Sequence, residues 1–483
     1  MPFPVLGSNS AVAAGYEIDN SLRFNNDDSA YLTKTPSSTG NRKTWTFSCW
    51  FKLSNVGTDF FSIFTTKYVN GENTDIIINS NKIEVYSVGT GGYDFQYATS
   101  QLFRDVSAWY HLVVAVDTTQ GTDSNRVKIY INGSQVTSFS TTNHPNQNFD
   151  TFQNLSGEPT YIGASDVNVL SPNITRFFDG YLSEIYMIDG TQHAASDFGE
   201  YNDNGVWIPK EYEGTYGTNG FKLEFKNSGN LGDDTSGNGN NFTATNLTAT
   251  DQTTDTPTNN FCTANPLQRG FPPTYLITLS EGNTQAKETS SNWIPYDSTI
   301  GVQNGKWYWE CKNISGSPAA GFMFGIQAQE GEDITGLFTT DNRYPGYYSG
   351  RIGFSYHASG TYYYNGASTT TGSVSYTNGD IIMLALDMDN GFLYAGKNGT
   401  WNNSGDPTSG ASGTGNVYNG FSSKTITPCN ALNGSSVLAG LNFGNPSFTI
   451  SSGNADANGY GNFEYAVPSG YYSLCTKNLA EYG

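Results

Sequence analysis

Tyrosines are concentrated in two stretches of the second half of the chain that are also rich in turn-forming residues, DNRYPGYYSG (341–350) and HASGTYYYNGAS (357–368). A loop tyrosine offers a flat apolar face and a hydroxyl, which suits stacking on a sugar ring or contact with a protein. The alternative is that alternate tyrosines of 361–365 are strand residues with one face in the core. The candidate ligand-binding residues are Tyr344, Tyr347, Tyr348, Tyr362 and Tyr364.

A similar stretch, GGYDFQY (91–97), occurs in the first half. It places Tyr93, Asp94 and Tyr97 at or next to a glycine-rich turn, so these three residues are candidates for a second binding surface.

One glycine-rich loop has oxygen ligands suited to calcium. Asp233, Asp234, Asn238 and Asn240 could supply carboxylate, amide and backbone oxygens to a cation. The late glutamate of an EF-hand loop is absent from this stretch. Calcium at Asp234 is therefore one hypothesis, and an ordinary Asx-turn is the other.

Motifs for bond-breaking chemistry are missing from the sequence. The chain has four histidines and contains no GxSxG, HExxH or GxxxxGK[ST] motif. Its densest acidic cluster is formed by Glu330, Glu332 and Asp333, but the surrounding QEGEDITG is typical of a turn between strands, and no ExDxxE-type carboxylate pair is present. The sequence favours a protein that is not an enzyme.

Composition and charge exclude several classes of partner. Aromatic and charged residues each make up 14% of the 483 residues, and the net charge is −20. Phosphate backbones and anionic bilayers would repel such a chain, so we expect no nucleic acid partner. The N-terminal MPFPVLGSNSAVAAGYE lacks a basic region and a sustained apolar run, so we expect neither a signal peptide nor membrane insertion. The five cysteines have no CxxC spacing and are expected to be buried free thiols.

One strand pattern occurs in both halves. HLVVAVD is followed by RVKIYING within 111–133, and DIIMLALD is followed by GFLYAGKNG within 380–399. Each second strand ends on an Asn-Gly pair, Asn132-Gly133 or Asn398-Gly399, which readily supplies two positive φ angles. The repeat predicts two similar β-sandwiches in tandem and an all-β fold with little helix.

Composition shifts predict four segments: an N-terminal arm (1–15), a first sandwich (16–201), a loop-rich β connector (202–291) and a second sandwich (292–483). Within the connector, Phe221, Leu223 and Phe225 alternate with polar residues. This alternation predicts at least one strand there.

The second half resembles the SPRY family, a concanavalin-like sandwich used mainly for binding. The segments that carry the resemblance, in chain order, are GKWYWEC (305–311), GFMFGIQ (321–327), NGDIIMLALDMDNGFLYAGKNGTW (378–401), LNFGNPSF (441–448) and PSGYYSL (468–474). The asparagine-, glycine- and serine-rich loops, such as 402–419, depart from the family pattern and leave the binding face unassigned.

The first half is similar to laminin-G-like and concanavalin A-like lectin domains through SLRFNNDDSAYL, TWTFSCWFKL, WYHLVVAVD, VKIYINGSQV and FFDGYLSEIYMID. This resemblance implies an antiparallel jelly roll that binds carbohydrate or protein, sometimes with calcium. No metal site of that family transfers residue by residue, and we expect no other cofactor. The tandem, together with DDTSGNGNNF and PTNNFCTANPL, is similar to structural proteins of marine tailed bacteriophages.

The resulting hypothesis is a non-enzymatic bacteriophage virion surface protein, such as a tail fibre, that binds a host-surface glycan or protein through its loops. We expect it on the virion, in contact with other virion proteins and as a homo-oligomer, since weak single sites gain from multivalent display. An architectural role as a capsid decoration or tail joint is the alternative. A glycan depolymerase is the third class.

Overall fold

The computed structural model describes residues 15–67, 71–166, 173–269, 277–288, 292–316, 321–330, 337, 342–421, 423–434 and 437–483. The predicted N-terminal arm lies outside these ranges except for residue 15. The described chain forms two compact units, 15–258 and Asn259–Gly483. Both are antiparallel β-sandwiches, which confirms the predicted fold class. The described residues of 202–258 belong to the first unit and those of 259–291 to the second. The predicted bounds of the connector, 202–291, stay a prediction.

The first sheet of the first unit, sheet A, has eight strands. In spatial order they are β10 (Ser134–Gln135), β9 (Val127–Ile131), β8 (Tyr110–Asp117), β3 (Thr44–Leu53), β15 (Gly180–Asp189), β1 (Ser21–Phe24) and β20 (Gln252–Thr253), with β18 (Phe221–Leu223) also paired to β15.

Sheet B faces sheet A across the core of the first unit and also has eight strands. They are β11 (Phe139–Asn143), β7 (Gly92–Thr99), β6 (Lys82–Gly89), β5 (Asn73–Asn79), β4 (Phe60–Lys67), β12 (Thr160–Ile162), β2 (Tyr31–Lys34) and β19 (Thr243–Thr245). Two small hairpins complete the unit, β13 (Ser165–Asp166) with β14 (Ile174–Thr175), and β16 (Gly199–Tyr201) with β17 (Trp207–Pro209). The core lies between the sheets and includes Phe47, Phe64, Ile76 and Val114.

The second unit is built in the same way. Sheet C contains β21 (Ala264–Arg269), β24 (Trp293–Ser298), β34 (Ile426–Asn433), β26 (Phe322–Ala328), β27 (Gly353–His357), β28 (Tyr362–Tyr364) and β29 (Ala367–Thr369). Sheet D contains β22 (Thr278–Ser280), β23 (Gln285–Glu288), β35 (Val437–Asn442), β25 (Lys306–Ser315), β30 (Ile381–Asp387), β31 (Phe392–Lys397) and β32 (Thr400–Trp401), with β33 (Tyr418–Asn419) on β31 and β36 (Tyr472–Ser473) parallel to β25. Trp307, Trp309 and Phe324 are fully buried between the sheets.

Helix is scarce, as the sequence predicted. The chain ends in α1 (Thr476–Tyr482), and short 3₁₀ helices occur at Asn26–Asp28, Asp123–Asn125, Ala195–Asp197, Ala249–Asp251, Asn402–Ser404 and Pro407–Ser412. Among the described residues, no helix has the length and apolar character needed to cross a membrane. The side chains of all five cysteines are buried as free thiols.

The repeated hairpins form as predicted and use the same asparagine contacts. Asn132 and Asn398 have φ angles of 46° and 49°, and each following glycine has a φ of 81°. The Asn132 side chain accepts a hydrogen bond from the His111 N–H at 2.8 Å, and the Asn398 side chain accepts one from the Ile381 N–H at 2.9 Å. Each asparagine therefore fastens its turn to the first strand of the hairpin.

The connector contains real strands within the first unit. The predicted Phe221–Leu223 strand pairs with β15, β20 pairs with β1, and β19 pairs with β2. These additions cover strand ends and edges that would otherwise present unpaired backbone groups.

Candidate functional site

An open cavity of about 370 Å³ lies at the surface of the second unit. Three chain segments meet there: the loop that precedes β27, the turn between β28 and β29, and the segment that contains β33. We call this the tyrosine cavity, and it is lined by Gly350, Arg351, Ile352, Tyr364, Asn365, Asn416, Val417, Tyr418 and Asn419.

The β28–β29 turn is a two-residue turn that the sequence requires. Tyr364 pairs with Ala367, so Asn365 and Gly366 are the two turn residues, and their φ angles are 53° and 70°. Asparagine and glycine tolerate these left-handed angles better than other residues. The Asn365 Oδ1 accepts a hydrogen bond from the Gly350 N–H at 2.6 Å. This bond fixes the loop against the turn and shapes one side of the cavity.

Aromatic rings form the wall of the cavity. The Tyr364 and Tyr418 ring centroids are 5.5 Å apart, with an interplanar angle of 44°. Tyr418 stacks in turn on Phe354 and Phe421, at 5.6 Å and 5.7 Å. Since Phe354 and Phe421 are fully buried, the core holds the Tyr418 ring in a fixed orientation.

A tyrosine–arginine platform adjoins the cavity. The Arg343 guanidinium lies 4.4 Å from the centroid of Tyr347, and the Arg351 guanidinium lies 4.3 Å from that of Tyr348. The Arg343 Nε donates to the Tyr348 hydroxyl at 3.0 Å. Tyr344 packs edge-on against Tyr347 at 5.2 Å. Arg351 lines both the tyrosine cavity and a smaller cavity of about 10 Å³ beside these tyrosines.

The chemistry available in the tyrosine cavity is stacking and hydrogen bonding. Tyrosine, asparagine and arginine supply ring faces, amides, hydroxyls and one positive charge. Among the described residues that line it, none carries a carboxylate or an imidazole. Burial raises the pKa of nearby Tyr344, so its hydroxyl stays protonated near neutral pH. The cavity is suited to holding a polar ligand.

The predicted tyrosines of the second half divide into two groups. Tyr344, Tyr347, Tyr348 and Tyr364 lie in the cavity wall or the adjoining platform. Tyr362 is instead in the core at 2% exposure, and its hydroxyl accepts a hydrogen bond from the Asn402 Nδ2 at 2.9 Å. Tyr362 thus follows the alternative in which one face of the strand packs inward. A direct ligand contact for any of these residues stays a prediction.

Among the lining residues that could offer a ring, an amide or a charge to a ligand, sequence reasoning missed five: Tyr418, Asn416, Asn419, Asn365 and Arg351. The first three lie in the 402–419 loop, which the sequence left unassigned. A tyrosine among asparagines, Asn416-Val417-Tyr418-Asn419, was the available signal. Nothing local indicated that this segment pairs with β31 and faces Tyr364.

The candidates of the first unit are also divided. Tyr93 is 53% exposed and packs edge-on against Tyr86 at 5.5 Å. Asp94 follows on β7 at intermediate exposure, and burial together with Glu72 raises its pKa. Tyr97 is buried, with its hydroxyl 2.6 Å from the His144 Nδ1. Only Tyr93 and Asp94 are therefore accessible from solvent.

Asp234 organises its own loop. Its Oδ1 accepts hydrogen bonds from the Ser236 and Lys222 N–H groups, both at 2.9 Å, and its Oδ2 accepts one from the Asn240 N–H at 2.7 Å. The bond from Ser236 is the Asx-turn that the sequence offered as the alternative to calcium. In the described ranges, no cluster of three or more His, Cys, Asp or Glu side chains could hold a metal ion. Calcium at Asp234 stays a prediction.

The acidic turn is only partly within the described residues. Glu332 and Asp333 lie outside them. Glu330 accepts a hydrogen bond from the Thr425 N–H through its Oε1.

Residues 24–196 match the family model described as the concanavalin A-like lectin/glucanases superfamily, of laminin G type. No curated protein sequence matches the chain. Among solved structures, the chain is similar to the SPRY domain of human HERC1, with 17% identity, 37% of this chain and 96% of that chain covered, and a TM-score of 0.28.

It is also similar to a putative carbohydrate binding protein from Bacteroides ovatus, with 16% identity, 48% and 61% of the two chains covered, and a TM-score of 0.32. A third similarity is to the LG1-3 region of the laminin alpha2 chain, with 8% identity, 89% and 62% covered, and a TM-score of 0.34. The family match shows that residues 24–196 of the first unit are similar to laminin G-type, concanavalin A-like domains.

Proposed function

We propose that this protein is a non-enzymatic binding protein that recognises a glycan through the tyrosine cavity of its second unit. The observation that carries the proposal is an open cavity of about 370 Å³ whose described lining combines two tyrosine rings, three asparagines and one arginine. A volume above about 300 Å³ is in the range of small-molecule sites. The tyrosine cavity therefore has room for one or two sugar rings.

The chemistry of the lining favours sugar over an apolar ligand. The faces of Tyr364 and Tyr418 match the C–H faces of a pyranose ring. The amides of Asn365, Asn416 and Asn419 can donate to and accept from hydroxyl groups. Because Tyr418 stacks on the core, ligand binding would order few side chains and lose little entropy.

We propose further that the protein acts on the surface of a bacteriophage virion, as a tail fibre or a related appendage that attaches to host-surface glycans. Three features support this setting: the tandem of two binding-type sandwiches, the acidic net charge, and linking segments such as DDTSGNGNNF and PTNNFCTANPL, which are similar to those of phage structural proteins. Homo-oligomeric display would raise the avidity of a weak site by 10²-fold or more, on the order of general multivalent binding.

An architectural virion protein is the second candidate, because the tyrosine–arginine platform is equally suited to gripping a neighbouring subunit. In that case the tyrosine cavity would be filled by protein within the particle. A map of the particle that locates this chain separates the two roles. A position at the tip of an appendage supports attachment, and a position inside a joint contradicts it.

The direct test measures binding of the purified full chain to host-surface polysaccharide and to a panel of neutral oligosaccharides by titration calorimetry. Tyr364→Ala should weaken binding about tenfold, since it removes roughly 1.4 kcal/mol of stacking. Arg351→Gln provides a second variant that leaves the core rings in place. Tyr201→Ala changes an exposed tyrosine of the first unit, away from the tyrosine cavity, and should bind like the wild type.

Two outcomes would contradict the proposal: no binding to any glycan by the wild type, or equal binding by Tyr364→Ala, Arg351→Gln and wild type. Release of reducing ends from the bound polysaccharide would instead favour the depolymerase class.

A further inference from the structure

The outward face of sheet B in the first unit carries an unusual group of side chains. Along β5 and β6, Ile76 and Val85 point into the core, so their neighbours Asp75 and Tyr86 point to the opposite face. Asp75 and Tyr86 are register partners on adjacent strands. Next to them lie Arg176 and two exposed aromatic rings, those of Phe60 and Tyr93.

Arg176 is held in place from both ends. Its backbone has a left-handed φ of 56°, and its carbonyl accepts a hydrogen bond from the Ser62 N–H at 2.8 Å. Its Nη1 donates to the Tyr86 hydroxyl at 2.6 Å and lies 3.4 Å from the Asp75 Oδ2. The Tyr86 hydroxyl donates onward to the same Asp75 oxygen at 2.7 Å. The guanidinium is therefore fixed before any ligand arrives.

The other edge of this guanidinium makes no polar contact with the described residues. In the described part of the chain, both polar contacts of the guanidinium use Nη1. The Nε and Nη2 donors form a separate edge, and 28% of the side chain is exposed. Two parallel N–H donors at the spacing of a guanidinium edge match the two oxygens of a carboxylate.

Exposed aromatic rings border the guanidinium. Phe60 is 45% exposed, and its ring centroid is 5.3 Å from the Arg176 guanidinium carbon. Tyr93 is 53% exposed and packs against Tyr86, the partner of Arg176. Ring faces beside a charged fork suit a ligand that has both an apolar face and a carboxylate, as a uronic acid does.

We propose that the surface formed by Phe60, Arg176 and Tyr93 is a second binding site, specific for a glycan whose sugars each carry one carboxylate. The carboxylate pairs with the Nε and Nη2 edge of Arg176, and the sugar faces stack on Phe60 or Tyr93. This site is separate from the tyrosine cavity and takes a different class of ligand.

Acidic residues near this site further restrict the class of ligand that can bind. Glu84 and Asp94 lie on β6 and β7, and burial together with the negative charge of Glu84 raises the pKa of the Tyr93 hydroxyl. A densely sulfated chain would meet these carboxylates and be repelled. A chain with a single carboxylate per sugar has a lower charge density and meets less of this repulsion.

The test uses the full chain and four probes: tetragalacturonate, its methyl ester, heparin and a glutamate-rich peptide of equal charge. Tetragalacturonate should bind at least about tenfold more tightly than the ester, as expected for one bidentate charged pair. Heparin and the peptide should bind more weakly than tetragalacturonate. Equal binding of acid and ester, stronger binding of the peptide, or no binding of tetragalacturonate would each overturn the proposal.

Single substitutions test whether the uronate binds at this surface. Arg176→Lys keeps the positive charge but removes the two-donor edge, and should remove the preference for the acid over its ester. Since Arg176 also bonds Tyr86, folding of this variant is verified by its melting temperature. Phe60→Ala and Tyr93→Ala change exposed rings only, and each should weaken binding about threefold to tenfold. Tyr364→Ala in the tyrosine cavity should leave uronate binding unchanged, which separates failure of this site from failure of the proposed function.

Discussion

A buried ion pair joins the connector to the central strand of sheet A and gives a sharp test of how the first unit is held together. The Lys52 Nζ lies 2.8 Å from the Asp255 Oδ2, and the two side chains are 2% and 0% exposed. The Trp109 Nε1 donates to the other oxygen of Asp255 at 3.0 Å. Lys52 also lies over the Tyr181 ring, at 5.3 Å. The pair spans 203 positions in sequence.

The size of the effect follows from the separation and the burial. Two unit charges 2.8 Å apart attract by about 6 kcal/mol at an effective dielectric constant of about 20. Most of this offsets the cost of removing the charges from water, but removing one partner leaves the other buried and uncompensated. Asp255→Asn should therefore lower the free energy of unfolding of the first unit by about 3–5 kcal/mol. For a unit of this size the melting temperature should fall by roughly 10 °C.

The assay is a double-mutant cycle by urea denaturation and calorimetry on the full chain. Lys52→Met with Asp255→Asn removes both charges and keeps an oxygen for Trp109. We expect the loss of unfolding free energy in this double variant to be smaller, by about 2 kcal/mol or more, than the sum of the losses in the two single variants. Lys397→Met is the control, because Lys397 pairs with Asp380 at a partly exposed site and should cost under about 1 kcal/mol. Additive single changes, or an Asp255→Asn cost within about 1 kcal/mol of zero, would refute the reasoning.

Two further predictions concern pH. Asp297 is fully buried with the Gln329 Nε2 2.7 Å from its Oδ2, and burial raises its pKa to about 7. This pKa is above the value of about 3.9 in the unfolded chain, so the folded state holds the proton more tightly. The contribution of protonated Asp297 to the free energy of unfolding, on the order of 4 kcal/mol, is therefore complete below pH of about 4 and is lost as pH rises to about 7. Asp297→Asn should flatten that slope in urea denaturation of the second unit, and an unchanged slope would contradict it. Burial lowers the pKa of His111 to about 3, and the Trp207 Nε1 donates to its Nδ1 at 3.0 Å, so Nε2 carries the proton toward Ser48. Nitrogen NMR should show this neutral tautomer unchanged from about pH 8 to 5. The contribution of His111 to the free energy of unfolding should be present above about pH 6.5 and be lost as pH falls toward about 3. A titration midpoint near pH 6.5 would show that the ring is not buried.

The fold was largely predictable because it rests on local signals. Alternating apolar residues identify strands, and Asn132-Gly133 and Asn398-Gly399 identify two-residue turns in equivalent hairpins. The strand at Phe221–Leu223 followed from the same alternation. Its partner β15 did not, since pairing across many residues has no local signature.

The candidate site was predictable in part. The sequence indicated tyrosines near turns, and four of the five candidates in the second half do lie at the tyrosine cavity or its platform. Tyr362 and Tyr97 are buried because they lie on the core-facing sides of their strands, where Asn402 and His144, distant in sequence, contact their hydroxyls. Arg176 was not indicated at all, because its partners Tyr86 and Asp75 lie 90 and 101 positions away.

By itself, the sequence determined that this protein is made of two antiparallel sandwiches with polar, tyrosine-bearing turns, because alternation and turn chemistry act between neighbouring residues. Only the tertiary structure decided which rings are exposed and which segments share a cavity. The physical reason is that a strand pattern separates the two faces of a sheet but does not say what covers each face. That depends on where distant segments, such as 416–419 against Tyr364, come to pack.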